Sequence, residues 1–223
     1  SKSSFQIEPL SYELLKAFIG GRGLATKLLY EELNPKVDPL TAGAKLIVAT
    51  GPLTGTTVPG TGRLMAIAKS PLTNCIACAN AGGYFSARLK FAGFDLLVIE
   101  GESAEPVYLL INGHRIEIKH ARQLWGKTTS ETEAIIKSEV VDPKEAASIV
   151  CIGPAGENLV KFACIVGDGG RVMGRSGLGA VMGSKKLKAV AVSGKGKVII
   201  AKKDDFKKAM EDLRDELKGS SKK

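Results

Sequence analysis

The sequence predicts an α+β fold in which one unit of strands and a helix occurs twice. The first observation is an apolar strand that runs into Gly-Pro at 47–52 and again at 148–154. The second is that a Gly-Arg and then a glycine-rich segment of small residues follow both strands. The third is that both halves close with a lysine and an apolar strand ending in glycine. Two degenerate copies, over about 45–101 and 147–194, therefore make up most of the chain.

Capping and stop signals predict the elements of the first half. A short strand is expected at 5–8. Ser11 can cap a helix that ends at Gly20-Gly21. A second helix carries leucines and stops at Asn34-Pro35, before a turn at Asp38-Pro39. Apolar runs predict strands at 45–50, 64–68 and 94–99, with a loop over 51–62 and a helix over 86–91.

The second half begins with the strongest hairpin signal in the chain. Asn112-Gly113, between two apolar runs, predicts a type I′ turn, because both turn positions then need positive φ. Ser130 and Glu133 match a capping box for a helix that reaches about Val140 and ends at Asp142-Pro143. Strands are expected at 147–152, 162–166 and 189–192, and an amphipathic helix is expected over 204–218. We therefore expect a base domain over 1–200, with 201–223 as a tail or the start of a following helical region.

The stretch Gly167–Gly183 is rich in glycine and carries Arg171 and Arg175. Exposed backbone amides in such a stretch can form a concave anion site, and an arginine adds a planar fork of donors matched to phosphate. Tight packing of a loop under a helix is the alternative interpretation. Because a similar glycine segment follows Asn80 in the first copy, the pattern favours two similar anionic groups bound side by side.

Composition limits the class of protein. The chain has 223 residues, a net charge of +9 and 44% hydrophobic residues, which is typical of a globular protein. The sequence shows neither a signal peptide nor an apolar run long enough to cross a membrane. A cytoplasmic location is expected from the cysteines, because a chain of this size does not need disulfides. The stretch from Lys161 to Lys188 contains six basic residues and one acidic residue, which favours an anionic ligand. A solvated lysine face is the alternative interpretation for Lys185–Lys188.

The positive charge also leaves other functions open. A nucleic-acid-binding module is one alternative, although aromatic residues at 5% are poor for base stacking. A mononucleotide-binding domain that uses the glycine stretch is another. It lacks the G-x-x-x-x-G-K-[ST] motif, and residues 174–179 do not have the G-x-G-x-x-G order.

Four cysteines in a chain of this size indicate a reducing compartment rather than a disulfide framework. Cys75 and Cys78 form a C-x-x-C pair, which alone is weak evidence for a metal because structural zinc needs two more ligands. The histidines His114 and His120 lie on the predicted hairpin. We therefore favour small core residues over a cluster site for this pair.

Several long motifs resemble the N-terminal domain of the tungsten-containing aldehyde:ferredoxin oxidoreductases. The resemblance covers nearly the whole chain. It is carried by residues 20–25, 51–56, 69–73, 79–85, 89–95, 125–127, 130–133, 152–158 and 179–185. In that family the domain is a base of two β-sheets on which a bis-molybdopterin cofactor of tungsten (or molybdenum) sits, with magnesium between the two pterin phosphates.

The resemblance also implies site residues. The cofactor-contacting positions correspond to Arg63, Asn80, Gly82, Arg171, Val172 and Gly174. The main-chain carbonyls of Asn80 and Val172 match the magnesium ligands, in keeping with the preference of magnesium for oxygen. Arg63 corresponds to a position between pterin and iron–sulfur cluster. No residue of this chain is implied to be catalytic.

The chain departs from the family in what it lacks. Compared with the family, this sequence is expected to lack the opening strand, before Phe5, and the two helical domains that follow, and none of its four cysteines matches the 4Fe–4S ligands. The cluster is thus expected only in the full-length protein, and the fragment alone is expected to be inactive. For the complete enzyme the resemblance implies oxidation of an aldehyde to a carboxylate, with electrons passed through the cluster to ferredoxin. It implies neither nucleic acid nor membrane as partners, and leaves room for a homodimer.

Overall fold

The structure, a computed structural model, describes residues 4–140 and 147–220. In these ranges the helices are α1 (Tyr12–Phe18), α2 (Gly21–Glu32), α3 (Phe85–Phe91), α4 (Thr129–Val140), α5 (Pro154–Glu157), α6 (Leu178–Ser184) and α7 (Lys203–Ser220), with a 3₁₀ turn at Arg122–Leu124. The strands are β1 (Leu46–Ala49), β2 (Leu64–Lys69), β3 (Ile76–Ala81), β4 (Leu96–Ile99), β5 (Val107–Asn112), β6 (Arg115–His120), β7 (Ser148–Cys151), β8 (Ile165–Gly167), β9 (Arg171–Met173) and β10 (Leu187–Ser193).

The strands form two sheets, which confirms the α+β class with flanking helices. The first sheet has the order β3-β2-β1-β4, and the second has the order β6-β5-β10-β7-β8-β9. In both halves the first three strands form an antiparallel meander, a short helix follows the third strand, and the fourth strand returns antiparallel beside the first. This shared topology is what a duplication produces. The hairpin β5–β6 extends the second sheet through a parallel pairing with β10.

The sheets and the two short helices share one apolar core. Leu46 and Leu64 of the first sheet, Phe85 of α3, Val150 of the second sheet and Val181 of α6 belong to the same buried cluster. Full burial of a side chain of this size contributes roughly 1.5–3 kcal/mol. The core therefore fixes both helices against both sheets.

The two halves also exchange contacts through their loops. Asp168, in the β8–β9 turn of the second half, accepts hydrogen bonds from the amides of Tyr84 and Phe85 at the start of α3 in the first half. Ser70, in the β2–β3 loop of the first half, donates from its hydroxyl to the carbonyl of Ser176, just before α6 of the second half. In both directions the loop between the second and third strands reaches the helix start of the other half.

Most predicted elements are confirmed, including the cap of α1, where Ser11 accepts from the amide of Leu14 at 3.1 Å. The strand predicted at 5–8 is wrong, because no strand among the described residues lies beside it and Phe5 and Ile7 are exposed. The strand expected at 162–166 begins only at Ile165. The division of the chain at residue 200 stays a prediction.

Two local motifs are shifted from their predicted positions. The capping box is formed by Thr128 and Glu131, since Glu131 accepts from the Thr128 amide at 2.8 Å and donates its own amide to the Thr128 hydroxyl. The hairpin turn is centred on Gly113 and His114, because Asn112 pairs with Arg115. Only Gly113 of the two has positive φ, at 55°, so the type I′ prediction is wrong. The predicted helix end at Asp142-Pro143 lies outside the described residues.

Candidate functional site

The candidate site lies where the two halves meet. β3 is an edge strand of the first sheet and β9 is an edge strand of the second, and the two pack against each other. We call this contact between β3 and β9 the seam. Five of the six predicted cofactor contacts lie on these strands or directly after them. Asn80 is in β3 and Gly82 follows it, whereas Arg171 and Val172 are in β9 and Gly174 follows it. Arg63, the sixth, directly precedes β2, the neighbour of β3.

On the first half, a hydrogen bond joins two predicted residues. The β2–β3 register pairs Leu64 with Ala81, which brings Arg63 beside the end of β3. Arg63 Nη1 donates to Asn80 Oδ1 at 3.1 Å, and the guanidinium remains exposed. At Gly82 a Cβ atom would meet nothing within 4 Å, so the surface beside it is open.

On the second half, the predicted residues form an exposed rim. Arg171 and Val172 are in β9 and Gly174 follows it, and all three are exposed. Within the described ranges the side chains of Arg171 and Arg175 form no hydrogen bond or ion pair, so both guanidinium groups are available to a ligand. Val172 exposes 46% of its surface.

The glycine stretch is only partly an open anion site. In the turn before β9, the Asp168 amide donates to the Ile149 carbonyl, the Gly169 amide to Glu133, and the Gly170 amide to the Gly167 carbonyl. These three donors are occupied within the protein, so this part of the glycine stretch does not offer them to an anion. Among the described residues the backbone amides from Gly174 to Gly177 donate to no acceptor. The amides that remain open to an anion therefore lie after β9.

The two Gly-Arg pairs do not occupy equivalent places. Gly62-Arg63 precedes the second strand of its unit, whereas Gly170-Arg171 opens the third strand. The structural counterpart of β9 is β3, which carries Asn80. The sequence match of the two arginines is therefore wrong as an alignment, although both lie near the packed edge strands.

Of the lysines for which a solvated face was the alternative interpretation, Lys185 and Lys188 are buried. Lys185 is 3% exposed and donates to the carbonyls of Ala44 at 2.6 Å and Gly101 at 3.1 Å. Lys188 is fully buried, where it donates to Glu157 and to the Lys127 carbonyl. The positive charge that faces solvent near the glycine stretch is thus that of Lys161, Arg171 and Arg175.

Two carboxylates at the site were missed by sequence reasoning. Asp168 caps α3 across the seam, and Glu133, which is 8% exposed, binds the Gly169 amide from α4 at 3.1 Å. The sequence could have singled out Asp168, because it is the single acid between Lys161 and Lys188. No sequence pattern indicated that Glu133 contacts this turn, because its partner is 36 residues away in the chain.

The cysteines are not gathered. Cys75 is exposed and Cys78 is half-buried, so the expectation of buried core residues is wrong for Cys75. Cys151 is buried, and burial raises the pKa of its thiol to about 12, against the opposing charge of Lys188. Among the described residues no three His, Cys, Asp or Glu side chains are placed to hold a metal ion.

Two open depressions are lined by other residues. One lies beside Glu102, Ser103 and Lys186 and a smaller one beside His114 and Lys197, and none of the predicted site residues lines either of them. No helix in the described ranges is both long and apolar enough to cross a membrane.

Comparison with known proteins gives the same domain throughout. A family model described as aldehyde ferredoxin oxidoreductase, N-terminal domain, matches residues 1–194. The tungsten-containing aldehyde ferredoxin oxidoreductases of Pyrococcus furiosus and Thermococcus kodakarensis are each 54% identical over 206 residues, which is 92% of this chain and 34% of theirs. The solved active site complex BamBC of benzoyl coenzyme A reductase with 1,5 dienoyl-CoA has a TM-score of 0.95 and 36% identity, over 99% of this chain and 33% of that one.

These matches cover far less of the relatives than of this chain, which spans about a third of their length. The agreement of fold, sequence and matched range is nonetheless specific to one domain type. The chain belongs to the aldehyde ferredoxin oxidoreductase family, as its N-terminal domain.

Proposed function

We propose that this chain is the cofactor-binding base of a tungsten enzyme whose bis-molybdopterin group lies along the seam of β3 and β9. The observation that carries the proposal is the contact between these two edge strands, each with predicted cofactor residues at its end. A two-armed ligand needs two similar binding surfaces side by side, and a duplicated unit that meets edge to edge provides them.

The residues at the seam fit such a group. Gly82 has open space where a side chain would stand, so a flat ring system can approach the backbone. Arg171 and Arg175 have no partner among the described residues and can donate to phosphate oxygens. Both β3 and β9 are edge strands, whose outward backbone groups lack a ladder partner. The carbonyls of Asn80 and Val172 are the proposed magnesium ligands on these edges.

The role of this domain is to bind and orient the cofactor. When bound, the tungsten–pterin group supplies the redox chemistry, and the protein supplies position and electrostatic field. Arg63 is held by Asn80, so its charge has a fixed direction and favours anionic or reduced groups beside it. Arg171 would donate to a phosphate of the bound group, and Gly174 leaves the backbone after β9 accessible.

The proposed reaction of the complete enzyme is oxidation of an aldehyde to a carboxylate, with ferredoxin as the electron acceptor. It rests on four relatives at 48–54% identity, all named tungsten-containing aldehyde ferredoxin oxidoreductase. Their names also favour tungsten over molybdenum. A relative at 40% identity is the WOR-like subunit of an aliphatic sulfonate oxidoreductase from Pyrococcus furiosus, so this domain type serves more than one substrate class. The 4Fe–4S cluster is proposed to belong to the rest of the protein, since no described residues of this chain are gathered to hold a metal.

The test is cofactor content in the full-length enzyme purified from its host. Arg63→Ala and Arg171→Ala each remove one charge-assisted contact, worth roughly 1.5–3 kcal/mol, and we expect tungsten and pterin per protomer to fall by about tenfold or more. Tungsten is measured by mass spectrometry and pterin by fluorescence of its oxidised form.

Arg115→Ala is the matched control, because Arg115 lies on β6, the opposite edge of the second sheet from β9. It should keep the cofactor content of the wild type. Full tungsten content in both Arg63→Ala and Arg171→Ala would contradict the assignment.

A further inference from the structure

Asp168 joins the two halves at the seam. A single carboxylate oxygen, Oδ2, accepts from the Tyr84 amide at 2.6 Å and from the Phe85 amide at 2.8 Å. These amides begin α3, whose dipole favours a negative charge there. Asp168 itself lies in the second half, three residues before Arg171, with φ at 45°.

The surrounding backbone is shaped for this contact. Gly83 has φ at 109°, and a Cβ atom there would lie 2.4 Å from Asp168 Oδ2. From the other side, the Glu133 carboxylate of α4 binds the Gly169 amide at 3.1 Å. The turn that leads into β9 is thus held between α3 and α4.

We propose that Asp168 is a positioning residue that sets the spacing between the two cofactor-binding surfaces. It fixes the β8–β9 turn on α3, and so holds Arg171 and Val172 at a defined distance from Asn80 and Gly82. This inference rests on the proposed cofactor function. Asp168 does not itself bind the anionic cofactor, because its own negative charge occupies the start of α3 and repels phosphate from it.

The other half shows that this contact is specific. Ser70 occupies the corresponding loop, but its hydroxyl oxygen accepts from its own loop amides, Leu72 at 3.1 Å and Thr73 at 3.2 Å, while its proton goes to the Ser176 carbonyl. Among the described residues, the carboxylate clamp between the halves is therefore formed on one side of the seam.

The test uses the full-length enzyme and three substitutions at one position. Asp168→Ala removes both hydrogen bonds and is expected to lower tungsten and pterin content by at least about fivefold, from a loss of roughly 1–3 kcal/mol. Asp168→Asn keeps one carbonyl oxygen that can accept from both amides, so its content should stay within about twofold of the wild type. Asp168→Glu keeps the charge but lengthens the arm by one methylene, and should lower cofactor content while retaining the fold.

Ser11→Ala is the control for loss of a helix cap. Ser11 caps α1 by accepting from the Leu14 amide at 3.1 Å, and neither residue belongs to the predicted site or to the turn that leads into β9. Its loss should lower the melting temperature, as the loss of Asp168 does, with cofactor content unchanged.

The results separate this role from the proposed function. Wild-type enzyme without tungsten and pterin would overturn both. In a loaded wild type, normal cofactor content in Asp168→Ala or Asp168→Glu would overturn the role of Asp168 alone. Depletion of Asp168→Asn or Ser11→Ala to the level of Asp168→Ala would do the same. If Asp168→Ala is not recovered folded, the contrast of Asp168→Asn with Asp168→Glu decides.

Discussion

At the scale of single residues, glycines in the same motif serve different purposes. Gly177 has φ at 73°, and a Cβ atom there would lie 1.9 Å from the carbonyl oxygen of Lys161. Gly82 lies outside the positive-φ region and its Cβ would meet nothing within 4 Å. The first glycine is thus required by the fold, whereas nothing in the described chain requires the second.

This contrast predicts opposite behaviour for two alanine substitutions. Gly177→Ala should destabilise the 223-residue chain by at least about 3 kcal/mol, since strain and a backbone clash add. Gly82→Ala should leave the free energy of unfolding unchanged or raise it by about 0.4–1 kcal/mol, and yet lower cofactor content in the full-length enzyme. Urea unfolding and tungsten analysis are the two measurements. Unchanged cofactor content in Gly82→Ala would argue against a ligand above that residue.

At the scale of elements, a buried ion pair ties a loop to the second sheet. Lys188 of β10 and Glu157 of α5 have side chains that are 0% and 4% exposed. Lys188 also donates to the Lys127 carbonyl, and the Gly126 amide donates to Glu157. The pair thus holds the segment that leads into α4.

Removing one partner of this pair should be costly. Glu157→Ala leaves the Lys188 ammonium buried without its counter-ion, and we expect a loss of about 3–5 kcal/mol of unfolding free energy. The double variant Glu157→Leu/Lys188→Met removes both charges and should recover most of that loss. Urea titration of the chain checks both. A double variant as unstable as Glu157→Ala would show that the hydrogen bonds to the loop, rather than the charges, carry the stability.

The sequence predicted elements where apolar runs or caps were strong and missed those without either. Apolar strands β1, β7 and β10 and the capped helix α1 were found because burial and capping act locally. The strand β9 and the helices α5 and α6 were missed. β9 has only three residues, and α5 and α6 are short and contain glycine, so their local propensity is weak and packing orders them, α5 against α6, α6 also against β2, and β9 against β3. The resemblance to the family predicted which residues form the site. It did not predict that they meet at the contact between β3 and β9, because that contact arises from the packing of two strands that are distant in the sequence.

At the scale of the whole molecule, two buried groups give stability an opposite dependence on pH. Burial lowers the pKa of Lys185 from 10.5 to about 8, although Glu100 and Glu102 act the other way. Burial raises the pKa of the Cys151 thiol from 9.0 to about 12, with Lys188 opposing and Glu133 adding to the rise. Between pH 8 and 10.5 the unfolded chain binds a proton at Lys185 that the folded chain does not, so this contribution rises with pH. Between pH 9.0 and 12 the folded chain keeps the Cys151 proton that the unfolded chain loses, so this contribution falls.

The two contributions can be separated by variants. From pH 8 to 9 only Lys185 acts, and the unfolding free energy of the wild type should rise relative to Lys185→Met by up to about 1.4 kcal/mol per pH unit. Above pH 10.5 only Cys151 acts, and the wild type should lose stability relative to Cys151→Ala. Urea titrations at a series of pH values measure both differences. If the difference in unfolding free energy between wild type and Lys185→Met does not change from pH 7.5 to 9, the pKa of Lys185 is not lowered by burial.

The loop exchange between the halves also bears on how such a chain arose. If a gene for one unit had encoded a protein that paired with a copy of itself, each subunit would have extended its second loop onto the other's helix. Joining two such genes end to end would keep both arms within a single polypeptide. After fusion the two loops no longer have to be identical. In this chain they differ, since one contributes the carboxylate of Asp168 and the other the hydroxyl of Ser70.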